Sequence, residues 1–241
     1  TEVVDGVTID PTKTGIDKNA FEWTTLNLNA NMKDIDGSEK MYLELKGLGA
    51  FSQFKLKDGG IVESKYDSVN KVWTIKDIAY DKINDIQFTN DKDTTIEIKA
   101  WTQDGVDSTK EKPAKGSMIV DFAKNALENG KFTLGKEVDI DFSKIWNGDI
   151  KGVSKIDLGA EGKNKLLNLT LQDVMDIGKK DLSGNINLTI LGDDKDGVSF
   201  AKNDGWQQKP GTTTDENGKT FTEWSNTSGD STVTLKIEQP I

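Results

Sequence analysis

The hexapeptide Asp34-Ile35-Asp36-Gly37-Ser38-Glu39 places three carboxylates within six residues, around a glycine that lets the backbone turn sharply. Carboxylate oxygens converging with a main-chain carbonyl make the hard-oxygen cage that calcium prefers, so Asp34, Asp36 and Glu39 are candidate calcium ligands. The segment does not follow the EF-hand pattern: no acidic ligand closes a twelve-residue loop and no helical pattern flanks it. A solvated acidic turn is the competing reading, because Asp and Gly are ordinary turn residues.

Two more acidic stretches invite the same question. Thr102-Gln103-Asp104-Gly105-Val106-Asp107 follows a strand-like run, and in a sandwich Asp104 or Asp107 is expected to approach the first loop. Gly192-Asp193-Asp194-Lys195-Asp196-Gly197 offers Asp194 and Asp196 to a cation, although three aspartates in a turn are also what a soluble hairpin uses. Trp206, in the polar stretch from Lys202 to Gly218, is the candidate for an exposed recognition residue.

Composition removes other chemistries. Cysteine and histidine are absent, so a thiolate nucleophile, a zinc-thiolate site, a Ser-His relay and a histidine metal site are excluded. Any catalysis would rest on carboxylates, Lys, Tyr or hydroxyls, as in a glycoside hydrolase with paired acids. Acidic residues number 41 against 31 basic ones, a net charge of -10, and every basic residue is a lysine. Nucleic acid and anionic membranes are therefore poor partners: there is no basic stripe and no guanidinium to read guanine or fork onto phosphate. No run approaches the roughly 20 apolar residues of a membrane span, and none reads as a signal peptide. A start at Thr1 without Met reads as a piece of something longer.

Short alternating runs must position these residues. Phe21 to Met32 is expected as a bulged strand, and the first acidic loop joins it to Met41-Tyr42-Leu43-Glu44-Leu45. Further strands are expected at Phe51 to Leu56, Ile61 to Tyr66, Val72 to Ile75, Ile86 to Phe88, Ile96 to Trp101 and Met118 to Phe122. Turn chemistry about every ten residues points to an antiparallel sandwich. Trp23, Trp73 and Trp101 lie inside strand patterns and read as packing residues in preference to a sugar platform. Past the polar boundary the second half resumes with Val138 to Phe142, Ile150 to Leu158 and Leu166 to Leu169. Thr170 then caps one short helix over 171–177 that stops at Gly178, before strands at Asn185 to Leu191, Thr220 to Trp224 and Thr232 to Ile237. The expected fold is mainly β: two antiparallel β-sandwich-like domains, 1–122 and 123–241, the second with the short helix.

Two resemblances follow from particular residues. Leu28-Asn29-Ala30-Asn31-Met32-Lys33-Asp34-Ile35-Asp36-Gly37-Ser38-Glu39-Lys40-Met41, Lys46-Gly47-Leu48-Gly49-Ala50 and Trp73-Thr74-Ile75 resemble the immunoglobulin-like repeats of very long bacterial adhesins exported by type I (RTX) secretion. The resemblance implies that Asp34, Asp36 and Glu39 help bind calcium where tandem modules join. Seven segments of the second half, from Lys155-Ile156-Asp157-Leu158 through Leu169 to Asp176, Leu188 to Asp193, Asp196-Gly197-Val198, Gly205-Trp206, Gly218 to Phe221 and Val233 to Ile237, are similar in order to a β-rich module from the C-terminal regions of the same adhesins. Glu223-Trp224 departs from that pattern, where a Tyr is common, and the glycine-rich nonapeptide calcium repeats are absent.

Together these imply a Ca2+-stabilised, non-enzymatic extender or scaffold of a secreted adhesin at the bacterial cell surface, involved in adhesion and biofilm formation. Its expected partners are neighbouring modules and a host or biofilm glycan or peptide, with no membrane insertion and a monomeric state. A carbohydrate- or peptide-binding module is the alternative, and a carboxylate-based glycoside hydrolase the further one.

Overall fold

The computed structural model describes residues 6–33, 39–104, 113–135, 137–143, 150–159, 162–215 and 217–241, with Asp104 described by its backbone alone. The chain forms two compact units, Thr1–Asn125 and Ala126–Ile241, and both are mainly β.

In the first unit the strands run β1 Val7–Thr8, β2 Thr24–Thr25, β3 Asn31–Met32, β4 Glu39–Lys46, β5 Phe54–Leu56, β6 Ser64–Asp67, β7 Val72–Ala79, β8 Ile86–Phe88, β9 Thr94–Asp104 and β10 Ala114–Val120. Five of them form an antiparallel sheet in the order β10-β9-β4-β7-β6, three form a second sheet in the order β2-β8-β5, and β1 pairs with β3. Period-two alternation decides which face is buried. Met41, Leu43 and Leu45 on β4 and Ile96, Ile98 and Ala100 on β9 are inside, while Glu97 and Lys99 face water. Phe54 on β5 meets Trp73 on β7 edge-on, ring centroids 5.2 Å apart, so the two sheets share a core. Gly47 ends β4 at φ 111°, and a Cβ there would lie 2.3 Å from the Thr95 carbonyl oxygen, which leaves glycine the residue that fits.

Several expected strands are shorter. Within 21–32 only Thr24–Thr25 and Asn31–Met32 pair as strand, because Phe21 and Asn29 take positive φ (65° and 45°) that breaks the pleat. Burial still drives the segment: Phe21, Leu26 and Leu28 are completely enclosed. Ile61 makes only an isolated bridge to Lys55 and stands exposed, so that run begins its strand at Ser64.

The second unit holds β11 Leu127–Glu128, β12 Lys131–Thr133, β13 Asp139–Asp141, β14 Lys155–Asp157, β15 Lys165–Leu169, α1 Leu171–Ile177, β16 Ile186–Leu191, β17 Gly197–Phe200, β18 Gln207–Gln208, β19 Thr213–Thr214, β20 Thr220–Ser228 and β21 Ser231–Glu238. The helix occupies the expected residues. Thr170 caps it: its side-chain oxygen accepts the Asp173 N–H at 3.0 Å, and the Asp173 carboxylate accepts the Thr170 N–H at 2.8 Å.

Strand pairing here differs in part from the antiparallel expectation. The hairpin β20-β21 and its edge partners are antiparallel, but β12, β14, β16 and β21 run parallel in one sheet, and β13, β15 and β17 run parallel in another. The chain visits the two sheets alternately, from β12 to β13, β14, β15, β16 and β17, as in a solenoid in which each coil rests on the one before. In-register stacking gives an apolar ladder of Phe132, Ile156, Ile190 and Ile237, every rung buried. Ile140 and Leu166 make the buried rungs of the second sheet. Parallel strands need crossover connections, and the loops and α1 supply them.

Candidate functional site

The first acidic loop enters β4 and the second leaves β9. Those strands are neighbours, and Glu39 stands opposite Asp104 in their register, so the two acidic stretches join the sheet at the same end. Glu39 is half-buried there. Asp34, Asp36 and Asp107 lie outside the described residues, as does the Asp104 side chain. Among the described residues no three acidic side chains converge as a metal set. Asp34, Asp36, Glu39 and Asp104 are hard-oxygen residue types, and of these Glu39 and Asp104 are register partners at one end of the sheet.

The sheet is braced next to that end. Tyr42 and Trp101 are register partners on the outer face and stack with centroids 5.8 Å apart and planes 13° apart. The Tyr42 hydroxyl donates to the Asp77 carboxylate at 2.8 Å. That hydrogen bond, then partial burial, raises the phenol pKa above its ordinary value, so the hydroxyl stays a donor through the physiological range.

The Asp193 to Asp196 loop is built as a corner of the coil. Asp196 accepts the Asn164 N–H on one oxygen and the Asp193 N–H on the other, both at 2.9 Å, and Asp193 accepts the Lys195 N–H at 2.9 Å. Asp196 thus holds the turn to the preceding coil, while Asp194 is exposed. The same use of carboxylates recurs at Asp58, Asp67, Asp181 and Asp215, each accepting backbone N–H groups of the next few residues. At Asp181 and Asp215 those backbone bonds are the main reason the carboxyl pKa is lowered.

Trp206 is half-buried, not projecting. It stacks on Phe200 with centroids 5.3 Å apart, and Phe200 in turn meets Trp224 at 4.9 Å. Its loop is anchored: the Asp204 carboxylate accepts the Leu171 N–H at the helix start, and the Asp204 carbonyl accepts Asn226 Nδ2 at 2.7 Å. The Trp206 indole N–H is enclosed without a hydrogen-bond partner among the described residues. Trp73 and Trp101 are buried as packing residues, and Lys55 lies 4.2 Å over the Trp23 ring.

Two features escape a linear reading. Asn164, flanked by lysines and looking like loop, is wholly buried. Its side chain accepts the Val138 N–H and donates to the Leu158 carbonyl, and its backbone carbonyl accepts the Gly197 N–H at 2.9 Å, so one residue ties three coil corners together. The outer face of the parallel sheet carries a polar ladder, Lys131, Lys155, Thr189, Lys236 and Glu223, whose members are scattered over the chain and meet only through register. No protein-family model, curated protein or solved structure matches this chain.

Proposed function

We propose that the chain is a calcium-stabilised, non-enzymatic extender or scaffold from a secreted bacterial cell-surface adhesin, acting in adhesion and biofilm formation. The observation that carries the reading is the pairing of Glu39 with Asp104, which joins two acidic loops to one end of a sheet. A cation held there by Asp34, Asp36, Glu39 and the second loop would tie loop backbones to strand ends and stiffen that end of the module. The mechanism is linkage: an ion bound by the folded form alone stabilises it in proportion to the logarithm of free calcium. The resemblance of both halves to adhesin modules, and the absence of histidine and cysteine, favour a structural over a catalytic role. Calcium titration by calorimetry tests the reading. Saturable heat is expected from the parent and its loss from Asp36→Ala, whereas equal heats, or none from either, would overturn it.

A second reading, a carbohydrate- or peptide-binding module, draws on the Trp206 ring beside Phe200 and its N–H, unpartnered among the described residues.

A further inference from the structure

The edge of the parallel sheet curls back over its own outer face. Residues of β14, β16 and β21 share one cavity with the β19-β20 turn, although β19 lies at the far edge of the sheet. The cavity encloses ≈ 330 Å³, at the lower end of the ~300–1,000 Å³ usual for small-molecule sites.

Its floor is the middle of the polar ladder. Lys155 and Lys236 flank Thr189 on adjacent parallel strands, all on one face. Strand spacing of ~4.8 Å separates the two lysines by roughly 10 Å at the backbone, wide enough for an anionic group to sit above Thr189 between them. Lys131 is the next rung beyond Lys155, and like charges stacked directly across a sheet are unfavourable. The flanking rungs are each relieved: Lys131 by Asp157, and Lys236 by Glu223 at 3.5 Å. Lys219, on the covering turn, pairs with Glu238 at 2.7 Å. Lys155 has no acidic partner among the described residues.

The remaining lining sets the rest of the ligand. Asp215 already accepts the N–H groups of Asn217 and Lys219, both at 2.9 Å, so its charge holds the covering turn in place. Thr189 and Thr214 bring hydroxyls that both donate and accept, the Thr213 hydroxyl, which donates to Glu223 at 3.4 Å, keeps its acceptor lone pair, and Leu191 and Phe221 give a small apolar surface. Ammonium groups in a protein of net charge -10 select an anion locally, and hydroxyls around a compact apolar patch suit a hydroxylated ring.

From this arrangement we infer that the cavity binds a carboxylate-bearing sugar, with the carboxylate between Lys155 and Lys236 and the ring hydroxyls on the threonines. The inference does not depend on the calcium reading, and its test is independent of calcium.

The test is amide NMR of the whole chain titrated with sodium glucuronate, glucose or inorganic phosphate, repeated on Lys155→Gln. Lys155 is exposed and makes no side-chain hydrogen bond or ion pair among the described residues, so the variant is expected to keep the parent spectrum elsewhere. Glucuronate is expected to move the amides of Thr189, Leu191 and Thr213–Thr214 saturably, with affinity falling about tenfold or more in the variant, the cost of one charge-assisted hydrogen bond. Glucose and phosphate are expected to leave those amides in place. No shift with glucuronate, equal affinity in Lys155→Gln, or a response to phosphate as strong as to glucuronate would each overturn the proposal.

Discussion

Replacing Asn164 with alanine should unfold the coil corners of the second unit. The side chain accepts the Val138 N–H and donates to the Leu158 carbonyl, and the residue is completely buried. Truncation leaves one backbone N–H and one C=O enclosed without a partner, at about 1–3 kcal/mol each. The methyl of alanine also leaves a small void, which adds to the cost. The two groups together cost about 2–6 kcal/mol before the void is added, a large share of the roughly 5–15 kcal/mol that stabilises a domain. Urea unfolding followed by far-ultraviolet circular dichroism, with the slope checked for constancy, reads the loss as a fall in midpoint. The first unit contains no part of this network, so the variant should retain its transition. A change below about 1 kcal/mol would refute the assignment of Asn164 as the tie between coils.

Two smaller perturbations probe neighbouring elements. Thr170→Ala removes the hydroxyl from the capping box of α1 and should cost about 1 kcal/mol by the same assay, with Thr170→Ser restoring most of it. Asp157 gives a pH dependence. Burial alone would raise its carboxyl pKa, but the Lys131 ammonium and the Gly159 N–H, which donates to it at 2.9 Å, outweigh burial and hold it below the usual value. A depressed folded-state pKa contributes stability that is fully present above the unfolded value, near pH 4, and is lost as pH falls through the folded one. Stability measured between about pH 5 and pH 2 should therefore fall more steeply for the parent than for Asp157→Asn; parallel acid limbs would contradict this.

Much of the strand content was legible because burial on one face imposes a period of two. Met41 to Leu45, Ile96 to Trp101 and Ile186 to Leu191 all lie within strands, and the cap at Thr170 with the stop at Gly178 located the helix to the residue. Pairing direction was not legible, since alternation looks alike in parallel and antiparallel strands. The stacked positions 131, 155, 189 and 236 are also unequally spaced, so no repeat marks the coils. Asn164 sits between Lys163 and Lys165, and nothing in that triplet announces a buried corner. The acidic segments were visible as composition, but whether carboxylates turn the chain or face a cation depends on where the backbone N–H groups fall. Asp196 shows the first use directly. The lysine cavity was invisible because its members come from separate strands and a turn that are adjacent only in the folded sheet.

The most direct test of the calcium account is the thermal midpoint of the first unit's transition in millimolar calcium and in excess chelator, for the parent and for Asp36→Ala. A site with a dissociation constant near 10 μM, held at about a hundred times that concentration, contributes about 2.7 kcal/mol. For a unit of this size that is roughly 10 °C in midpoint. The account predicts that rise in the parent, with most of it gone in Asp36→Ala, and chelated midpoints that agree between the two. A parent midpoint that calcium does not move would contradict it, and the acidic loops would then stand as ordinary turns.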